Sequence, residues 1–121
     1  YARVANDQIV TLAMVETTRA LEALDEIVAT PGLTGVYIGP SDLSLSMGHP
    51  PKLDHDAPEV VSAIRRILDT AKAAGIRAGI HCLAPAYARE MLSMGFDLVT
   101  VGSDVRILTS ATAAVLEAVR S

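Results

Sequence analysis

The sequence contains no tryptophan, and aromatic residues make up only 3% of its 121 residues. Because proteins that bind single-stranded nucleic acid stack the bases on aromatic side chains, this composition argues against such a surface. Positive charge is also scarce: 10 lysines and arginines stand against 14 aspartates and glutamates, which gives a net charge of −4. Nucleic acids and anionic membranes both attract basic surfaces, so we expect neither as a partner.

Cysteine and long apolar segments are equally scarce. Cys82 is the single cysteine, so no disulfide can form within the chain, and we expect a cytoplasmic location. No apolar run approaches the roughly 18 residues of a membrane span, and no signal peptide is visible. The first residue is Tyr1 rather than methionine, and we therefore also expect a fragment of a longer protein.

Half of the residues are hydrophobic, and their spacing predicts strands that alternate with helices. Short apolar runs predict strands, and apolar residues three or four positions apart predict helices. The predicted strands cover residues 10–15, 36–38, 77–82 and 98–101. The predicted helices cover residues 17–30, 58–74, 85–94 and 105–119, with a short helical turn at 40–43.

Two local predictions concern how these helices begin and which side they bury. We expect Thr17 or Thr18 to cap the first helix, and Ser41 or Asp42 to cap the short turn. In the helix at 85–94, the helical spacing predicts that the inward-facing residues are Ala88, Met91 and Leu92.

Alternating strands and helices are typical of a parallel sheet with right-handed crossovers. The sequence therefore predicts an α/β fold with four parallel βα units, which is half of a (β/α)8 TIM barrel. Residues 1–121 are expected to form a single partial domain. A small doubly wound sheet is the alternative. The half barrel is favoured because polar residues follow each predicted strand, at the edge where barrels place their sites.

Glu16 and Asp42 each follow a predicted strand, about one strand-plus-helix unit apart. If both strands are parallel in one sheet, both carboxylates emerge at the same edge of it. Two carboxylates that converge there suit a hard divalent cation, which prefers oxygen ligands. The alternative is that each acid only stabilises the start of the helix that follows it.

Gly39, Pro40 and Ser41 lie immediately before Asp42 and form a candidate substrate-binding segment. Glycine allows a ligand to approach the backbone closely. The backbone N–H groups of Ser41 and Asp42 begin a helical turn, which is a suitable site for a carboxylate or a phosphate. The alternative is a tight turn that uses glycine and proline for its geometry alone.

His81 and Cys82 end the third predicted strand. They could bind metal together with the two acids or transfer protons. We favour a hydrogen-bonded histidine at a strand end and a small buried thiol, because the spacing fits no zinc pattern.

Two further groups of polar residues have less specific patterns. A metal site is one interpretation of the loop with His49, Asp54, His55 and Asp56, and a solvated loop is the favoured one. The segment Gly102-Ser103-Asp104 could line the site or cap the last helix.

Taken together, these runs resemble the HpcH/HpaI aldolase family. The resemblance covers essentially the whole chain, and residues 35–44 are its most specific part. The segments that carry it are Asn6-Asp7-Gln8, Val15-Glu16-Thr17, Ala20-Leu21, residues 32–44 (GLTGVYIGPSDLS), Gly48, and Val101-Gly102-Ser103-Asp104.

The resemblance implies the C-terminal half of the barrel of a class II aldolase, which uses a divalent cation to act on pyruvate-type 2-oxo acids. It assigns Glu16 and Asp42 to the cation, with Mg²⁺ or Mn²⁺ expected first and Co²⁺ or Zn²⁺ as alternatives. It assigns the backbone N–H of Ser41 to the pyruvate carboxylate. The catalytic arginine and histidine of the family come from the N-terminal half, so no catalytic residue is assigned here. Many members carry a glutamine where this chain has Met14, so we expect one hydrogen bond to the substrate to be missing.

The leading hypothesis is a carbon–carbon lyase that reversibly cleaves 2-oxo acids into pyruvate and an aldehyde through a metal-stabilised enolate. One alternative is a citrate-lyase-like acyl-CoA lyase, although no basic residues for a CoA phosphate are evident. Another is a non-catalytic, truncated paralogue that serves in assembly. We also expect a homo-oligomer, in which the last helix either packs on a neighbouring subunit or covers its own barrel. The apolar residues of that helix are Ile107, Leu108, Ala111, Val115 and Val119.

Overall fold

The computed structural model describes residue 1 and residues 3–120. Its strands are β1 (Leu12–Val15), β2 (Gly35–Ile38), β3 (Arg77–Cys82) and β4 (Leu98–Val101). Its helices are α1 (Ala5–Gln8), α2 (Thr18–Glu22), α3 (Leu24–Val28), α4 (Pro40–Ser46), α5 (Pro58–Ala73), α6 (Pro85–Met94) and α7 (Asp104–Arg120).

The four strands form one parallel sheet in the order β1-β2-β3-β4. One or two helices connect each strand to the next, as parallel neighbouring strands require. The prediction of four parallel βα units, half of a (β/α)8 barrel, is confirmed. All four strands therefore end at the same edge of the sheet, which we call the carboxyl edge.

One face of the sheet packs against the helices and forms the core. The strand residues on this face are all fully buried: Val15, Val36, Ile38, Ala78, Ile80 and Cys82. They pack in one cluster with the apolar stripe of α5, which includes Val60, Ile64 and Ile67. Because side chains alternate across a strand, the intervening residues lie on the opposite face, the one that lines a complete barrel. We call it the inner face.

The beginning of the chain differs from the prediction in three ways. Strand β1 begins at Leu12 rather than at residue 10, because its pairing with β2 starts where Leu12 lies opposite Gly35. The helix predicted at 17–30 is two helices, which meet at Ala23 (φ −94°, ψ 14°). The short helix α1 was not predicted.

The predictions for helix ends and faces are confirmed in part. Thr17 caps α2, since its side chain accepts a hydrogen bond from the Ala20 N–H. The capping prediction for α4 is wrong, because this helix begins at Pro40 and its N-cap is Gly39, which has no side chain to cap with. Met91 is buried as predicted, but Leu92 is 50% exposed, so the buried stripe of α6 is narrower than predicted.

Helix α7 has no buried residue along its whole length, and all of it lies within the described part of the chain. Its exposed large apolar residues are Val105, Ile107, Leu108, Val115, Leu116 and Val119. The helix therefore does not cover the sheet of its own chain. Within residues 1 and 3–120, no helix has the length and the apolar character needed to cross a membrane.

Candidate active site

Four residues form a row across the inner face at the carboxyl edge. Val15 pairs with Ile38, and Ile38 pairs with Ile80. The next position on each strand therefore holds Glu16, Gly39 and His81 side by side, and His81 pairs with Thr100 on β4. The row brings two of the predicted site residues, Glu16 and Gly39, to the same level as His81.

Gly39 provides the space that the Glu16 side chain occupies. A Cβ atom added to Gly39 would lie 2.8 Å from Oε2 of Glu16 and 3.4 Å from Cε of Met14. These contacts put Glu16 and Met14 on the inner face and show that the carboxylate leans over Gly39. A larger residue at position 39 would compete with the carboxylate for this space.

Asp42 lies in the first turn of α4, which begins directly after Gly39. Its side chain is exposed, whereas Glu16 is half-buried. The two acids thus follow adjacent, directly paired strands, as the sequence predicted. In the part of the chain that the structure describes, neither carboxylate has a hydrogen bond or an ion pair. Two carboxylates without a counter-charge suit a divalent cation, and hard oxygen donors are the ligands that Mg²⁺ and Mn²⁺ prefer.

The segment before Asp42 is held firmly in place. Gly39 and Pro40 are buried, and Ser41 is half-buried. The buried Ser44 hydroxyl donates to the carbonyl oxygen of Ser41 at 2.9 Å and lies 3.2 Å from that of Pro50. The first turn of α4 is therefore anchored to the loop that follows it.

His81 and Cys82 do not extend the pair of acids into a larger metal site. Among residues 1 and 3–120, no group of three or more histidines, cysteines, aspartates or glutamates could hold a metal ion. Cys82 points into the core, and burial, with a smaller contribution from the charge of Asp54, raises the pKa of its thiol to about 11. The favoured interpretation of Cys82 as a small buried thiol is confirmed.

His81 belongs to a polar cluster that the sequence analysis did not identify. Its Nδ1 lies 2.7 Å from the Thr100 hydroxyl and 3.3 Å from the Tyr37 hydroxyl, and these two hydroxyls also hydrogen-bond to each other. All three residues occupy inner-face positions. The alternation of β2, β3 and β4 could have revealed the cluster, because each strand places one polar residue on this face near the carboxyl edge.

The loop at residues 48–57 is structured, so the favoured interpretation as a solvated loop is wrong for two of its residues. Asp54 accepts hydrogen bonds from the N–H groups of Leu83 and Ala84 at 2.7 and 2.8 Å, immediately before α6. His55 is buried and accepts from the Ala57 N–H, which leaves Nε2 to donate to the Pro50 carbonyl. Both residues therefore have structural roles.

The segment after β4 caps the last helix. The Arg106 N–H lies 3.4 Å from the Ser103 hydroxyl, and Asp104 accepts from the Val105 N–H at 2.8 Å. Gly102 donates its N–H to the Cys82 carbonyl at 2.8 Å, which ties the segment to the end of β3. Of the two interpretations left open by the sequence, these contacts support capping.

Comparison with known proteins gives a consistent result across the chain. The family model described as HpcH/HpaI aldolase/citrate lyase matches residues 1–111. A hydroxypyruvate/pyruvate aldolase from Rhizorhabdus wittichii is 44% identical over 121 residues, which is 100% of this chain and 48% of that protein. A 2-keto-3-deoxy-L-rhamnonate aldolase from Klebsiella pneumoniae is 40% identical over 111 residues, covering 92% of this chain and 41% of that protein.

Solved structures agree with this comparison. An HpcH/HpaI aldolase/citrate lyase family protein from Burkholderia cenocepacia superposes with a TM-score of 0.88 at 38% identity, over 100% of this chain and 46% of that chain. A citrate lyase β subunit from M. tuberculosis, complexed with oxaloacetate and magnesium, gives a TM-score of 0.63 at 25% identity, over 79% and 48%. The chain spans about half the length of the curated relatives it matches.

Proposed function

The chain belongs to the HpcH/HpaI aldolase/citrate lyase family, and we propose that it carries the metal-binding half of an aldolase active site. The reaction is the reversible cleavage of a 2-oxo acid into pyruvate, or a close analogue of pyruvate, and an aldehyde. The names of the relatives at 40% identity and above support this reaction class, since they are aldolases of hydroxypyruvate, pyruvate or a 2-keto-3-deoxy acid.

The observation that carries the proposal is the pair of carboxylates without a counter-charge at the carboxyl edge. Glu16 follows β1 and leans over Gly39, and Asp42 lies in the first turn of α4, which follows β2. We assign both to a divalent cation, Mg²⁺ or Mn²⁺ in the first place. Such a cation supplies positive charge that stabilises the enolate formed during cleavage. The magnesium named for the citrate lyase β subunit supports this choice of metal.

The substrate is held by the segment between the two acids. We assign the backbone N–H of Ser41 to the carboxylate of the 2-oxo acid, with Gly39 and Pro40 completing the contact surface. These residues bind and orient the substrate, and the fixed first turn of α4 keeps the N–H in place. The general base and acid belong to residues outside this chain.

The direct test is exchange of the methyl protons of pyruvate for deuterium, followed by NMR on the full-length protein. We expect exchange with Mg²⁺ or Mn²⁺ and none with EDTA. Glu16→Gln and Asp42→Asn are each expected to lower kcat/KM more than tenfold, since each removes a charge that holds the cation. Retention of more than about a tenth of kcat/KM, or a loss of about 1.4 kcal/mol or less, contradicts the ligand assignment.

Glu59→Gln is the matched control for these variants. Glu59 is an exposed acid in the first turn of a helix, as Asp42 is, but it belongs to α5, which does not begin at the end of a strand. If Glu16 and Asp42 only stabilise the starts of helices through the helix dipole, all three variants will have similar, small effects on kcat/KM. If they hold a cation, only Glu16→Gln and Asp42→Asn will abolish metal-dependent exchange.

A second candidate function is an acyl-CoA lyase, which the likeness to a citrate lyase β subunit at 25% identity favours. A panel of free 2-oxo acids and CoA thioesters separates the two functions. Turnover of thioesters alone, with no exchange of pyruvate protons, supports the acyl-CoA lyase. Turnover of 2-oxo acids alone supports the aldolase.

We also propose that the full-length protein forms a homo-oligomer through α7. The apolar residues of this helix, among them Ile107 and Leu108, are exposed in the single chain, and large exposed apolar patches are typical of interfaces. Light scattering after size exclusion tests this. Substitution of Ile107 and Leu108 by serine is expected to dissociate the oligomer, and an unchanged mass contradicts the assignment.

A further inference from the structure

The polar cluster of Tyr37, His81 and Thr100 is unusual for its position. The inner-face residues level with Tyr37 on the other three strands are apolar or glycine: Met14 on β1, Gly79 on β3 and Leu98 on β4. Apolar side chains are sufficient for packing at such positions. A half-buried imidazole, in contrast, needs hydrogen bonds that replace those it loses with water. The cluster therefore calls for an explanation beyond packing.

The contacts of the cluster fix the histidine ring through one nitrogen only. Nδ1 of His81 faces the Thr100 hydroxyl at 2.7 Å and the Tyr37 hydroxyl at 3.3 Å. Gly79 makes room for the tyrosine ring, since a Cβ atom added there would lie 2.9 Å from Cδ2 of Tyr37. Within the described residues, Nε2 of His81 has no hydrogen bond. A ring held at one nitrogen and open at the other is oriented to meet a ligand.

The open nitrogen belongs to the same row as the carboxylate of Glu16. Only Gly39, which has no side chain, separates the two residues in this row. Residues two strands apart have Cα atoms roughly 10 Å from each other, so a small molecule fits between them. A substrate held at the acids therefore has His81 beside it.

The hydrogen-bonding state of a neutral imidazole determines which ligand groups can bind to Nε2. If Nδ1 accepts a hydrogen bond from the Thr100 hydroxyl, Nε2 carries the ring proton and donates. If Nδ1 donates to Thr100, Nε2 accepts. A hydroxyl group complements both forms, because it donates and accepts, whereas a carboxylate or a carbonyl oxygen only accepts.

We propose that Nε2 of His81 forms a hydrogen bond with a hydroxyl group of the substrate, and that Thr100 and Tyr37 position the ring. This inference rests on the proposed aldolase function. The hydroxyl belongs either to C3 of the 2-oxo acid, as in hydroxypyruvate, or to C2 of the aldehyde, as in glycolaldehyde. His81 then sets a preference for hydroxylated substrates over their deoxy analogues.

The test measures this preference in two arms on the full-length protein. One arm compares kcat/KM for hydroxypyruvate and pyruvate, and the other compares glycolaldehyde and acetaldehyde. We expect the wild type to prefer the hydroxylated partner in one arm, and His81→Asn to reduce that preference about tenfold, the effect of one hydrogen bond. The arm that responds identifies which reactant carries the hydroxyl. Thr100→Val and Tyr37→Phe are expected to act in the same arm, mainly through KM.

A pair of amide variants separates recognition from structural support. The amide nitrogen of asparagine can take the place of Nδ1, and that of glutamine the place of Nε2. If Nε2 contacts the substrate, His81→Gln retains more of the hydroxyl preference than His81→Asn. If the ring only supports the sheet, the order is reversed and the proposal is overturned. His49→Asn, at a histidine in the loop outside the row, is the matched control and is expected to leave the preference unchanged.

The other possible results also test the proposal. An equal loss for all four substrates, an unchanged preference in His81→Asn, or a wild type without a preference each overturns the proposal. Metal-dependent exchange of pyruvate protons is measured in parallel on every variant. If the wild type and His81→Asn both exchange but have the same preference, only the role of His81 fails. If the wild type does not exchange pyruvate protons, the result contradicts the proposed aldolase function as well as the role of His81.

Discussion

The carboxylate of Glu16 lies so close to Gly39 that a Cβ atom at position 39 would be only 2.8 Å from Oε2. The backbone of Gly39 (φ −97°, ψ 89°) is open to other residues, so this glycine is required by its neighbour rather than by its own conformation. We therefore expect Gly39→Ala to fold and to displace the Glu16 carboxylate.

The measurable consequence of Gly39→Ala is a weaker affinity for Mn²⁺, by about tenfold or more, since one charged ligand contact is worth at least about 1.4 kcal/mol. Titration calorimetry on the full-length protein measures it. Gly75→Ala is the control: Gly75 has φ +74° and nothing within 4 Å of an added Cβ, so this change lowers stability without affecting the metal. Equal affinity in Gly39→Ala and the wild type contradicts the assignment of Glu16.

The sequence predicted the architecture well because the relevant signals are local. Glycine and proline bound most of the elements, and the apolar spacing of α5 and α6 is regular. What it could not predict depends on contacts between distant residues. The break at Ala23 has no glycine or proline to mark it, whereas the end of α4 has a local signal that was not used, because Gly48 (φ +83°) directly follows its C-cap Met47.

The same difference between local signals and long-range contacts applies to the candidate site. The positions of Glu16 and Asp42 after neighbouring strands were predictable, because Glu16 follows β1 directly and Asp42 comes four residues after the end of β2; their role as cation ligands stays a prediction. Asp54 was misread because its two partners, the N–H groups of Leu83 and Ala84, lie about 30 residues away in the sequence. Tyr37 and Thr100 were overlooked because a tyrosine and a threonine in a strand are ordinary residues until the register brings them to His81.

Asp97 stabilises the edge of the sheet opposite the site. Its carboxylate accepts hydrogen bonds from Lys72 (2.6 Å), Arg77 (2.9 Å) and the Ala78 N–H (2.9 Å). The Lys72 ammonium and the Ala78 N–H hold the pKa of Asp97 well below its usual range. We expect Asp97→Asn to reduce the free energy of unfolding by about 1–2 kcal/mol at pH 7, because the exposed cations add little to the backbone contact.

The pH dependence of this loss follows from the direction of the pKa shift. A carboxyl group whose pKa is lowered by folding stabilises the protein fully above its unfolded pKa of about 3.9, and less as the pH falls through the folded pKa. Urea unfolding should therefore show a constant difference between the wild type and Asp97→Asn at pH 5–8, which shrinks in more acidic solution. Asp56→Asn, which breaks an exposed pair with Lys52, should have little effect. Equal losses in the two variants contradict the prediction.

Asp54 caps α6 from a distant loop, since the helix has no capping side chain of its own. Asp54→Ala leaves the Leu83 and Ala84 N–H groups without this acceptor, and we expect a loss of about 1–2 kcal/mol, as for other helix caps. Urea unfolding measures the loss. The control is Asp69→Ala at an exposed position of α5, which should change stability much less. A loss no greater than that of the control contradicts the capping role.

Cys82 should be unreactive in the folded protein although it lies at the edge that carries the site. Burial, and to a smaller extent the charge of Asp54, raises the pKa of its thiol from 9.0 to about 11. Since the thiolate is the reactive form, alkylation at pH 8 should be about 100-fold slower than in the unfolded chain. Peptide mapping after iodoacetamide treatment, with and without urea, measures the two rates. Asp54→Asn removes the smaller cause only, so its labelling should rise but stay far below the unfolded rate. Labelling of the folded wild type at the unfolded rate would show instead that Cys82 is open to solvent and ionised, and therefore available for chemistry at the carboxyl edge.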